Sequence, residues 1–204
     1  MPARAISRST ATAERSAATR RRIIEAVRDL LAERAFHDST MEDVAERAGV
    51  SRATLYLHFR SRLELVDSIC DVMAENPALI QLRETVRLPD PDQALAETVA
   101  LSMRFWASED AVVGELYGVV AVDPAAKDFV DRQYADRRSE LGELARNLRR
   151  SGRLREGVTE KRALSILLLA TSYGSYRELQ ATGLGEREVA KLLLETARRA
   201  LFDD

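Results

Sequence analysis

Apolar residues first recur at helical spacing from Arg20 onward. Ile23, Ile24, Val27, Leu30 and Leu31 stand at i, i+1, i+4, i+7 and i+8, the stripe of an amphipathic helix that runs out near Phe36 and His37. Ser39 and Thr40 then precede Glu42 and Asp43, a Ser/Thr-x-x-acid cap for a second helix with Val44, Ala45 and Ala48 facing inward. That helix is short, because Gly49 can take the left-handed conformation of a sharp turn. Ser51 caps a third helix through Phe59, and Ser61 with Glu64 forms a capping box for a fourth.

The remaining pattern is helical as well. Asn76-Pro77 breaks or kinks the fourth helix, and Leu88 to Asp92 reads as a loop. Gln93 to Ala107 is apolar nearly all round, with Leu95, Val99, Met103 and Trp106 on one side and Leu101 and Phe105 on others, so its neighbours should enclose it. A shorter helix is predicted around Ala111 to Val120. Asp123-Pro124 then opens a long helix ending at Ser151-Gly152. Thr159 caps a helix to about Ala181, stopped by Gly183, and Glu186 to Leu201 forms the last. No run alternates as a strand does. The predicted fold class is all-α, with about nine helices. Residues 1–18, rich in Ser, Thr, Ala and Arg without apolar periodicity, are expected to form a disordered basic arm.

Composition narrows the classes. A chain of 204 residues suits one or two domains with a sizeable core. Cys70 is the one cysteine, which excludes an intrachain disulfide and fits a reducing compartment; it is expected to be buried on the fourth helix. The longest apolar run, about Ile166 to Ala170, is far short of the ~20 residues of a membrane helix. Arg4 and Arg8 lead no apolar stretch, so neither a secreted nor a membrane protein is expected. Charge changes the picture more. The net charge of −2 hides 12 Arg against 8 acidic residues in residues 1–62, with 19 basic against 25 acidic residues in the rest. A basic N-terminal part on an acidic body points to a nucleic-acid module joined to something else.

A short helix, a glycine turn and a second short helix make the helix-turn-helix arrangement, whose second helix enters the major groove. On its wheel Leu55 and Phe59 pack inward, while Ala53, Leu57 and Arg60, flanked by Tyr56 and Thr54, face away. A groove floor with thymine methyls and sugar edges gives an exposed Tyr and Leu a reason. Residues 20–66, and above all Thr40 to Phe59 with Ala48-Gly-Val-Ser51, Thr54-Leu-Tyr56 and His58-Phe59, resemble the DNA-binding domain of TetR-family transcriptional repressors. Ala53 stands where Gly or Pro is frequent in that family, and Arg62 where Lys is usual. Residues 67–204 are similar only in length and helical plan.

The resemblance implies a division into the arm (1–18), a DNA-binding domain (19–66) and an effector-binding and dimerisation domain (67–204). It implies that Arg52 and Ala53 reach base edges, with Arg52 able to bind guanine O6 and N7. Thr54, Tyr56 and His58 would touch phosphate or sugar. Thr40, with backbone amides, and Arg62 would hold phosphates. Arg20, Arg21 and Arg22 would either follow the backbone or enter a minor groove, and Ser51 and Leu57 complete the DNA-facing set.

The resemblance also implies a homodimer, released from DNA by a small molecule, in a bacterial cytoplasm. The last two predicted helices carry more apolar surface than one core stripe needs, which suggests an interface; Leu164, Leu168, Gly174, Tyr176, Val189, Leu193, Ala197 and Ala200 are its candidates. Met73, Met103, Trp106, Tyr117, Phe129, Tyr134 and Tyr173 are candidates to line a pocket for an apolar or aromatic effector. No cofactor or metal site is expected: His37 has no metal-ligand partners at suitable spacing, and no nucleophile elbow or glycine-rich phosphate loop suggests an enzyme. An activator would use the same DNA contacts, and a helical ligand-binder without DNA function would share the body.

Overall fold

In the computed structural model the first helix, α1 (Ala3–Ala32), begins well before the apolar stripe. The structure describes the backbone of residues 3–122 and 124–203, and the side chains of residues 12–118, 132 and 134–203. The expected disordered arm is therefore helical instead from Ala3 onward. Six alanines and the straight-chain arginines of residues 3–18 extend a helix already nucleated by its packed stripe, and each added residue then costs little. Ile23, Ile24, Val27, Leu30 and Leu31 are all buried. Arg34, in the left-handed region at φ 58°, ends α1. The Arg34 amide donates to the Leu31 carbonyl at 3.0 Å and the Ala35 amide to that of Leu30 at 2.8 Å, the paired bonds of a Schellman motif.

The following helices are α2 (Met41–Arg47), α3 (Arg52–His58), α4 (Arg62–Ala74) and α5 (Pro77–Thr85). Then come α6 (Pro91–Val122), α7 (Pro124–Arg150), α8 (Glu160–Ala170), α9 (Tyr173–Ala181) and α10 (Glu186–Leu201). The described residues contain no strand. The fold is all-α, an N-terminal helix-turn-helix followed by a larger helical part.

Two stretches depart from the pattern. The two helices expected over 93–107 and 111–120 are one, α6, because the polar run Ser108-Glu109-Asp110 has partners that let the helix continue. The Asn76 side-chain amide donates to Ser108 Oγ at 3.3 Å and Glu109 Oε1 at 3.2 Å, while its carbonyl oxygen caps α5 through the Ala78 amide. Conversely, the single helix expected from Thr159 to about Ala181 is two. Ser172 is extended and accepts the Ser175 amide at 3.0 Å, so it restarts the helix as a new N-cap. The cap expected at Asp123 lies outside the described residues; α7 opens at Pro124.

The chain forms two compact units. One runs up to Met73 and includes Ala111–Lys127; the other holds Ala74–Asp110 and the chain from Asp128 on, so the boundary expected after residue 66 falls inside α4. The core of the first unit joins the α1 stripe to Phe36, Val44, Ala45, Ala48, Leu55, Phe59, Leu65 and Ile69. In the second, Leu95, Val99 and Met103 of α6 are enclosed as expected, together with Leu141, Leu144 and Leu148 of α7 and the inner faces of α8 and α10. The Asp92 carboxylate accepts from Arg153 at 2.9 Å and from Arg198, and these hydrogen bonds hold it below its ordinary carboxylate range.

Candidate nucleic-acid interface

The turn between α2 and α3 is built by local hydrogen bonds. The Asp43 amide donates to Thr40 Oγ1 at 3.2 Å and the Thr40 amide to Asp43 Oδ2 at 2.7 Å, the reciprocal capping box of α2. These bonds keep the Asp43 carboxyl below its usual range. Gly49 sits at φ 62°, where a side chain would be strained, and the Val50 amide closes the turn onto the Ala45 carbonyl at 2.9 Å. Ser51 Oγ then accepts the Thr54 amide at 3.1 Å and starts α3.

Burial of Leu55 and Phe59 decides which face of α3 looks outward. Arg52, Ala53, Tyr56 and Leu57 share the exposed side, with Leu57 85% accessible. Thr54 and His58 are half-buried at its edges, and Thr40 and Ser51 are exposed at the two helix starts. Arg52 Nη1 lies 2.6 Å from Glu42 Oε1 of α2, and its guanidinium sits 5.6 Å from the Tyr56 ring centroid.

Two arginines of the set also have partners within the chain. Arg20 donates to the His58 carbonyl at 3.3 Å and lies 4.2 Å over the Phe59 ring, so it buttresses the end of α3 from α1. Arg62 is half-buried: its guanidinium donates to the Phe36 and Ser39 carbonyls and lies 3.8 Å over the Phe36 ring. Burial lowers its pKa. The fork clasps the α1–α2 loop, because five rigid donors satisfy two convergent carbonyls better than a lysine could. Arg21 and Arg22 are exposed on α1. Arg47, absent from the candidate set, pairs with Glu33 and fastens α2 to α1.

In the second unit the aromatic candidates partly converge. Trp106 and Tyr173 have ring centroids 5.3 Å apart, and the Trp106 indole donates to the Thr171 carbonyl at 2.8 Å. Tyr173 is buried and donates to Asp110 Oδ1 at 2.8 Å; burial and that carboxylate raise its pKa. Met103 is fully buried in the same unit, and Met73 is buried in the first. Tyr117 and Tyr134 are instead exposed at 44% and 39%. Tyr117 lies one position off the buried Val112, Val113 and Leu116, and Tyr134 lies in an exposed stretch of α7. The Phe129 side chain lies outside the described residues.

The interface candidates divide in the same way. Val189, Leu193 and Ala197 form the inner stripe of α10 at i, i+4 and i+8, buried within their own unit, so they are core rather than surface. Tyr176 is also buried, 6.3 Å from Tyr173 between centroids, with Gln180 donating to its hydroxyl at 2.9 Å. Gly174 is exposed and Leu164, Leu168 and Ala200 are half-exposed. Beside them Leu169 of α8 and Leu192 of α10, not among the candidates, are 65% and 40% exposed.

Cys70 is half-buried on α4. Burial, with negative charge from Asp67 and Asp71, pushes its thiol up to about 12. The thiolate is the reactive form, so alkylation by iodoacetamide at neutral pH is expected to run on the order of a thousandfold slower than for an unhindered cysteine. Timed mass spectrometry checks this, and labelling at the free-cysteine rate contradicts it.

Comparison with known proteins agrees with this geometry. Residues 23–69 match the family model of the bacterial regulatory proteins, tetR family. Over 167 residues the chain is 24% identical to the HTH-type transcriptional regulator UidR of Escherichia coli strain K12, covering 81% of this chain and 84% of that protein. Over 64 residues it is 39% identical to the HTH-type transcriptional regulator TtgR of Pseudomonas putida, covering 31% and 30% respectively. NalD of Pseudomonas aeruginosa, the secondary repressor of the MexAB-OprM multidrug efflux pump, shares the fold with a TM-score of 0.71 at 22% identity, covering 94% of this chain and 99% of that one. The α2–turn–α3 frame lies inside the residues that match this family model.

Proposed function

We propose that the protein is a ligand-responsive transcriptional repressor of the bacterial cytoplasm, binding an inverted-repeat operator as a homodimer. The observation that carries the reading is the outward face of α3: Arg52, Ala53, Tyr56 and the 85% exposed Leu57 stand out from a helix whose other side is locked into the core. Such a face fits a major groove, where Arg52 reads guanine and Leu57 meets a thymine methyl. Thr40, Ser51, Thr54, Tyr56 and His58 contact phosphate and sugar, while Arg21 and Arg22 follow the flanking backbone. Arg20 and Arg62 support this surface from behind.

Two recognition helices held about 34–36 Å apart meet successive major grooves on one side of the duplex. The dimer surface is the outer side of α8 to α10, where Leu164, Leu168, Leu169, Gly174, Leu192 and Ala200 leave apolar area uncovered. Met103, Trp106 and Tyr173 supply the second unit's lining for an apolar or aromatic effector. Chain connectivity supplies the route of release: α4 starts at Arg62 and leads into α5 through Asn76, so a shift of α4 changes the spacing of the recognition helices. A coupling of ~1–3 kcal/mol weakens operator binding by one to two orders of magnitude.

Fluorescence anisotropy of labelled duplex DNA tests the DNA-binding part of this reading. The binding constant is expected to fall log-linearly with salt, with two protomers bound per duplex. Binding that is absent, or indifferent to salt, contradicts it.

A further inference from the structure

The geometry points to Glu42 as a specificity-determining positioning residue, which aims Arg52 at one base. The inference rests on the operator-binding reading and deepens it. Glu42 is exposed in the first turn of α2, and its Oε1 lies 2.6 Å from Arg52 Nη1 at the start of α3. The Tyr56 ring stands 5.6 Å from the same guanidinium, so Arg52 is held by a carboxylate and by an aromatic side chain. The neighbouring Asp43 has a different task, because its carboxylate is taken up by the cap of α2.

As an ion pair with side chains 67% and 49% exposed, Glu42–Arg52 adds little to stability. On a face that meets phosphates, a carboxylate also opposes binding by like-charge repulsion. A residue that weakens affinity and hardly stabilises the fold makes sense if it restricts what Arg52 can reach. Guanidinium has five donors in a rigid plane. With Nη1 turned toward Glu42 and the group resting near Tyr56, the remaining donors form a fork in a set direction, suited to guanine O6 and N7. Freed from Glu42, the long side chain would swing to phosphates or to adjacent bases. The pair therefore gives up affinity for all DNA in favour of preference for one base pair in each half-site.

The test is selection from a random duplex pool by the full-length wild type, Glu42→Gln, Arg52→Ala and the double variant, with base preference scored at every position. Glu42→Gln is expected to bind non-specific duplex a few-fold tighter. Its guanine preference at the Arg52 position should fall on the order of tenfold. Preferences elsewhere should stay as in the wild type, while the salt slope should steepen by up to about one unit, since the freed guanidinium gains phosphate contact. In the Arg52→Ala background the Glu42 change should alter no preference. Wild-type preference in Glu42→Gln overturns the inference, and so does a loss that persists without Arg52. A wild type that selects no inverted repeat overturns the operator-binding reading itself, and the two failures are thus distinct. Because the pair is exposed, the thermal midpoint of Glu42→Gln should match the wild type; a large drop would mean a structural role and overturn the inference.

Discussion

Replacing Arg62 by alanine is expected to destabilise the helix-turn-helix unit by about 2–4 kcal/mol. The side chain donates to two backbone carbonyls, those of Phe36 and Ser39, and covers the Phe36 ring. Hydrogen bonds from a charged donor contribute roughly 1.5–3 kcal/mol each and the ring contact about 0.5–1, less what water returns at a half-buried site. Phe36 is fully buried directly after the Schellman turn, so loss of the clasp frees the loop that sets α2 against α1. Arg62→Lys should recover little, because an ammonium cannot span both carbonyls or lie flat on the ring. Thermal unfolding followed by circular dichroism would show a midpoint lower by roughly 5–15 °C for alanine and nearly as much for lysine. An unchanged midpoint, with weaker DNA binding and a shallower salt slope, would return Arg62 to the phosphate contact that the resemblance implies.

The second large effect is expected at the recognition helix. Arg52→Ala should remove about 1–3 kcal/mol of discrimination per half-site, at one base pair, while binding to mismatched sequences changes much less. Tyr56→Phe should instead weaken every duplex alike by about 1 kcal/mol, since the phenol touches backbone and the ring beside Arg52 is kept. The contrast is the informative part. Anisotropy titrations on the selected operator and on single-base variants separate the two patterns. Uniform loss for both substitutions would show that Arg52 does not read a base.

The helical stripes and short caps of residues 20–66 were legible because each is written within a turn or two of chain: period 3.6 for the α1 face, Thr40 with Asp43, Gly49, and Ser51 with Thr54. What was not legible depends on partners far along the chain that leave no residue-type signal. Arg62 and Arg20 find backbone carbonyls, at Phe36, Ser39 and His58, and a carbonyl looks the same in any residue. The continuity of α6 through Ser108 and Glu109 depends on Asn76, more than thirty residues earlier. Val189, Leu193 and Ala197 show a different limit: an apolar stripe reads alike whether the chain or a second copy covers it. Leu169 and Leu192, outside the inner stripe, were the signal for a surface. Glu42 reads as part of a cap, yet its carboxylate pairs with Arg52 on the next helix.

In the proposed complex two copies of α3 read an inverted repeat. Selection of bound fragments from a random duplex pool by the purified protein, at ~150 mM salt, tests it most directly. An enriched inverted repeat is expected, with half-sites centred about ten base pairs apart and guanine where Arg52 reaches. Recovery of a single unrepeated site, or of no enriched sequence with only weak salt-sensitive binding, would contradict it.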